Sequence, residues 1–128
     1  MKRLLDTHAF LWADGEPERL SAAAKAACED QDSELLLSVV SVWEIQIKIQ
    51  LGKLALRSGL REIMGAWVQR NNLRILPVNL EHVLRLEVLP SHHKDPFDRL
   101  LVAQAQAEGC ELISHDRLLR QYPVTVVW

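Results

Sequence analysis

Apolar and polar positions along the chain fall into two alternating textures. Short apolar runs occur at residues 3–5, 35–40, 74–78, 111–114 and 124–128, and longer segments of helical character separate them. Strands that alternate with helices predict a parallel sheet covered by helices, an α/β fold. Ser21 stands as an N-cap before the alanine-rich segment 22–27, and Asp95-Pro96-Phe97-Asp98 opens a further helix that Gly109 closes. Ala103, Ala105 and Ala107 let that last helix lie close on its neighbours.

Residues 43–51 carry two conflicting signals. Trp43, Ile45, Ile47, Ile49 and Leu51 alternate strictly with polar residues, which is a strand pattern on periodicity alone. Ser41 and Glu44 have capping-box spacing and Gly52 sits where a helix would stop, so the boundary signals favour a helix. A helix here sends its isoleucines to more than one side, which requires burial on the sheet and also against a partner chain.

A length of 128 residues, 48% of them apolar, fits a single domain over 1–128 with one core. The N-terminal apolar stretch is broken by Asp6 before a signal-peptide core forms, and no apolar run approaches the ~18 residues of a membrane span. With Cys28 and Cys110 as the only cysteines, no disulfide framework is expected, and the expected setting is cytoplasmic, away from membrane. A formal charge of −2 excludes binding of nucleic acid through bulk electrostatics, so any such contact has to be local.

The chemistry rests on four acids. In an open parallel sheet the strand C-termini form the functional edge. Asp6 falls at such an end, and Asp116 lies just beyond the strand that contains Leu112 and Ile113. Glu44 and Asp98 each follow a capping residue by three positions, Ser41 and Asp95, which places both on the first turn of a helix. Clustered carboxylates repel one another unless a cation neutralises them, and hard ions such as Mg²⁺ or Mn²⁺ prefer carboxylate and water ligands.

Each acid taken singly has an ordinary reading: Glu44 and Asp98 as helix-start carboxylates, Glu44 as a partner of Lys48, and Asp6 and Asp116 as turn residues. Their combination carries the functional reading. His92 and His93 read as solvated, since no further ligands are spaced to complete a zinc site. Trp12, Trp43, Trp67 and Trp128 read as packing or interface residues, too scattered for a base-stacking platform. Lys48, Lys53, Lys94, Arg99 and Arg117 are the candidate phosphate contacts.

Four blocks stand in order: residues 4–12 (LLDTHAFLW), 41–48 (SVWEIQIK) with 51–54 (LGKL), 93–105 (HKDPFDRLLVAQA) and 112–116 (LISHD). In content and spacing they resemble the PIN-domain family, specifically its VapC-like toxins, over nearly the whole chain. The resemblance implies a three-layer α/β/α domain with a central parallel sheet of about five strands, and a helix for residues 43–51. It implies a Mg²⁺-dependent endoribonuclease with Asp6, Glu44, Asp98 and Asp116 as catalytic and metal-binding quartet. Thr7 matches the hydroxyl residue after the first acid, Ser114 keeps a hydroxyl where the family often has threonine, and Asp95 caps the helix that bears Asp98. The implied partners are RNA, a cognate antitoxin and a second copy of the chain. Two other readings weigh less: a degenerate, non-catalytic RNA-binding or assembly module, against which all four acids are present, and a Mg²⁺-dependent phosphoryl-transfer domain, whose paired early acids are missing.

Overall fold

In the computed structural model, which describes residues 1–128, five strands form one all-parallel sheet. They are β1 (Lys2–Leu5), β2 (Glu34–Ser38), β3 (Arg74–Leu76), β4 (Cys110–Ile113) and β5 (Val126–Val127), in the order β3-β2-β1-β4-β5. The register pairs Leu4 with Leu36 and Leu112, and Leu5 with Leu37 and Ile113. Because side chains alternate across a strand, the two triplets line opposite faces of the sheet, and each seeds its own core.

On the first face α6 (Pro96–Glu108) packs Leu101, Val102 and Ala105 over Leu4, Leu36 and Leu112. The second face is covered by α1 (Thr7–Gly15), α2 (Ala22–Glu29), α3 (Val39–Gln50) and α4 (Leu60–Asn71), which bring Phe10, Ala27, Ile45 and Ile63 onto Leu5, Leu37 and Ile113. A short α5 (Leu80–Leu84) packs against α6. This is the three-layer α/β/α arrangement expected from the sequence. No helix is long and apolar enough to cross a membrane.

The capping signals hold for α2 and α6. Ser21 accepts from the Ala24 amide at 3.0 Å, Asp95 accepts from the Phe97 and Asp98 amides, and Gly109 ends α6 with φ of 67°. At α3 the structure corrects the expectation. The N-cap is Ser38, whose side chain accepts from the Val40 amide at 3.1 Å, and the strand expected to run to Val40 ends at Ser38. Ser41 is therefore an interior, buried residue, and Glu44 lies in the second turn. The strands expected over 74–78 and 124–128 are likewise shorter, ending at Leu76 and pairing only Val126–Val127.

The alternating segment 43–51 is helical up to Gln50, and Gly52, with φ of 71°, turns the chain out of it. Ile45 is fully buried, and Val42 and Ile49, one turn to either side, pack on the same core. Val39, Trp43 and Leu51 remain exposed, so the helix is apolar on two sides and only one is covered within the chain.

Candidate metal centre

The acids gather at the C-terminal edge of the central strands, β1 and β4. Asp6 directly follows β1 and caps α1, one carboxylate oxygen accepting from the Ala9 amide at 2.7 Å. Its other oxygen accepts from the Ser114 hydroxyl, which the β1–β4 register places alongside. The same hydroxyl accepts the Asp116 amide at 3.0 Å, so Ser114 ties two acid-bearing loops together. Asp116 in turn caps the 3-10 helix Arg117–Gln121 through the Leu118 amide at 2.9 Å. Asp98 stands on the first turn of α6, oriented by the Asp95 cap.

Asp6, Asp98 and Asp116 line one cavity of about 400 Å³. Glu44 does not. It is buried beside that cavity, its Oε1 accepting from Thr7 Oγ1 at 2.7 Å and its Oε2 lying 3.1 Å from Lys48 Nζ. Thr7 Oγ1 also lies 3.0 Å from Ser41 Oγ, so the residue after the first acid locks α1 to α3. Glu44 still acts on the cavity electrostatically, since its charge is among those that raise the Asp98 pKa.

Burial is the main reason the Asp6 carboxyl titrates above the usual range, opposed by its bonds from Ser114 and the Ala9 amide and by His8, and reinforced by Asp116. Asp98 is pushed up to about 7, first by burial, then by the neighbouring Asp95, with His93 pulling the other way and Asp6 and Glu44 adding repulsion. Carboxyl groups desolvated and crowded in this way are short of positive charge. Carboxylate oxygens are donors that fit a hard divalent cation, and the donor atoms that lie together are those of Asp98, Asp116 and His93, with Asp6 on the wall of the same cavity.

His93 is not solvated, contrary to the sequence expectation. Its Nε2 lies 2.8 Å from Asp116 Oδ2 and 3.2 Å from Asp98 Oδ2, and the ligand-type atoms of these three residues lie within 4.8 Å of one another. Its Nδ1 accepts the Asp95 amide at 3.1 Å. In a neutral ring the hydrogen is then on Nε2, so His93 serves the carboxylates as a donor that orients them. The loop is held by Tyr122, whose hydroxyl accepts the His92 and His93 amides at 3.1 and 2.9 Å. Position just before the Asp95 cap was the one signal that pointed to His93; the distant Asp116 partner was invisible.

The basic candidates separate. Lys48 is paired with Glu44. Arg99 donates to the Pro90 and Leu89 carbonyls at 2.8 and 3.3 Å, so it stitches a loop and is not free for phosphate. Lys53, Lys94 and Arg117 are exposed. The tryptophans pack, as expected: Trp12 and Trp128 meet at 5.6 Å between ring centroids, and both contact His115, which with Trp12 lines the acid cavity. Trp67 is a packing residue against Phe10, its indole donating to Asp14 at 3.0 Å.

The PIN domain family model matches residues 3–124. Ribonuclease VapC22 of Mycobacterium tuberculosis is 35% identical over 135 aligned positions, covering 96% of both chains. Among solved structures, VapBC2 from Rickettsia felis, bound to a DNA fragment from its promoter, superposes with a TM-score of 0.74 at 14% identity, covering 98% of this chain and 97% of that one. A toxin-antitoxin complex from Klebsiella pneumoniae gives a TM-score of 0.58 at 19% identity, covering 89% and 86%. These structural likenesses are likenesses of fold.

Proposed function

The chain belongs to the PIN domain family, and from that premise we propose that it is a Mg²⁺-dependent endoribonuclease that acts as the toxin of a toxin-antitoxin pair. The observation that carries this reading is the convergence of Asp6, Asp98 and Asp116, from three separate elements, on one cavity at the sheet edge. Beside it stands the identity with a ribonuclease along nearly all of both chains.

Asp6, Asp98 and Asp116 would hold Mg²⁺, or Mn²⁺, with the fourth acid, Glu44, outside the cavity and acting on it through its charge. When bound, such an ion lowers the pKa of a water and offsets charge on the phosphoryl oxygens, so no protein nucleophile is needed. The chain's own residues prepare that site. Ser114 and the Ala9 amide fix both oxygens of Asp6, Asp95 sets the first turn that bears Asp98, and His93 orients Asp116. Thr7 holds Glu44. Water adding at phosphorus with departure of the 3′-oxygen leaves 5′-phosphate and 3′-hydroxyl ends.

The partners follow from the same reading. A cognate antitoxin that inserts a basic side chain among the carboxylates would block the site, and its inhibition would weaken as salt rises. The uncovered apolar side of α3, with Val39, Trp43 and Leu51 exposed, suits a second copy of the chain. The setting proposed with this reading is the cytoplasm. The deciding experiment is cleavage of total cellular RNA with Mg²⁺, with EDTA, and with Asp98→Asn. Cleavage only by the wild type in Mg²⁺ supports the reading; equal cleavage by Asp98→Asn, with matched circular dichroism, refutes the site.

A further inference from the structure

The cavity that holds Asp6, Asp98 and Asp116 has a second wall made of rings. His115 stands between Ser114 and Asp116 in the chain, and His8 follows Asp6 by two residues, so two imidazoles are tethered to the acid-bearing loops. Trp12 meets His8 at 6.1 Å and His115 at 5.8 Å between ring centroids, and Trp128 meets His115 at 5.2 Å. The indoles are half-buried while both imidazoles are exposed. The Arg19 guanidinium lies 4.4 Å from the Trp12 ring centroid and adds a cation to the cluster.

Packing alone would hide such rings, yet His8, Trp12 and His115 all line the acid cavity. The substrate side of the problem points the same way. With Lys48 paired and Arg99 bonded to carbonyls, the candidate phosphate contacts that remain are the exposed Lys53, Lys94 and Arg117, in a chain of formal charge −2. A wall of ring faces holds a base without relying on phosphate contacts. Resting on the ribonuclease reading, we propose that His8, Trp12 and His115, buttressed by Trp128, form a stacking site for the nucleobase next to the scissile phosphate. Every base has a π-face, so this wall grips single-stranded RNA with little regard to sequence.

The test uses His115→Ala, because this ring is exposed and its removal leaves the core intact. On an RNA that the wild type cleaves, an intact oligonucleotide is compared with counterparts that carry an abasic nucleotide on either side of the cleaved bond. The wild type should lose about fivefold to 150-fold in kcat/KM on one abasic substrate, the range of one base-aromatic stack. That loss should vanish in His115→Ala. A merely structural His115 lowers both substrates alike, so an undiminished abasic loss in the variant, or no loss in the wild type, overturns the wall and leaves the ribonuclease reading standing. If the wild type cleaves no RNA in Mg²⁺, that reading fails by itself. Anisotropy titrations with a labelled mixed-sequence single-stranded oligoribonucleotide and its fully abasic counterpart then decide: a preference for the base-bearing strand that His115→Ala loses supports the wall, and equal affinities overturn it.

Discussion

Thr7 Oγ1 donates to Glu44 Oε1 at 2.7 Å, a buried bond that joins the first residue of α1 to the second turn of α3. It couples the position of Glu44 to Asp6, because Thr7 is the next residue in the chain. Thr7→Val keeps the shape and removes the hydroxyl, leaving a buried carboxyl oxygen without its donor at a cost of about 1–3 kcal/mol. RNA cleavage should fall by about 10- to 100-fold as the acid loses its position, and Thr7→Ser should retain most activity. Thermal melts and cleavage rates of both variants check this; equal activity of Thr7→Val and wild type would remove Glu44 positioning from the mechanism.

Asp98 sets a pH dependence of opposite sign to that of a salt-bridged acid. Its folded pKa of about 7 lies above the roughly 3.9 of an unfolded aspartate. Between these values the folded chain keeps a proton that the unfolded chain releases, so stability falls as pH rises through the window and the penalty is complete above pH 7. In EDTA, Asp98→Asn should therefore match the wild type near pH 4 and exceed it at pH 7.5, by an amount on the order of a few kcal/mol. Denaturant melts at the two pH values measure the difference, and a gap that does not grow with pH contradicts the crowding of this carboxyl.

Cation binding reverses that penalty. At a concentration 100 times its dissociation constant, Mg²⁺ should stabilise the native state by about 2.7 kcal/mol, which is roughly 10 °C in Tm for a chain of this size. EDTA should return the melt to its starting point. Asp6→Asn keeps the α1 cap but removes one carboxylate from the cavity, so its Tm should respond far less. An undiminished response in that variant would locate the ion elsewhere on the protein.

How far the sequence disclosed this site depends on how local each determinant is. The α6 cap was legible because Asp95, Pro96 and Gly109 act within a turn of the helix ends they set. At α3 the spacing of Ser41 and Glu44 imitated a capping box, but Val40 is buried and the chain turns helical one strand-end earlier, at Ser38. Asp6 and Asp116 were placed correctly from the strands before them, whereas the Ser114 bond between their loops needed the β1–β4 register. His93 and the rings of Trp12, His115 and Trp128 meet partners far along the chain, which periodicity cannot report.

Trp43 supplies the last prediction, because it is 60% exposed on a helix that should not present so large an apolar side chain to water. Its ring packs edge-on against Phe97 at 5.4 Å, so the patch runs from α3 onto the first turn of α6, beside Asp98. Val39, one turn before Trp43, is 42% exposed and extends the patch along α3, and Leu51, just past the end of the helix, is 62% exposed. A second copy seated there would bury an aromatic anchor near the centre of the interface, the position where truncation commonly costs 2 kcal/mol or more, about a 30-fold weaker association. Trp43→Lys adds a charge to that loss and should convert the proposed dimer to a particle of the 14.6 kDa chain mass in light scattering at micromolar concentration. Because Trp43 contributes no group to the acid cavity, the monomeric variant should keep a Mg²⁺-dependent melt. A dimer that persists in Trp43→Lys would assign association to another face, and a variant that loses its Mg²⁺ response along with its partner would mean that the second copy helps to shape the site.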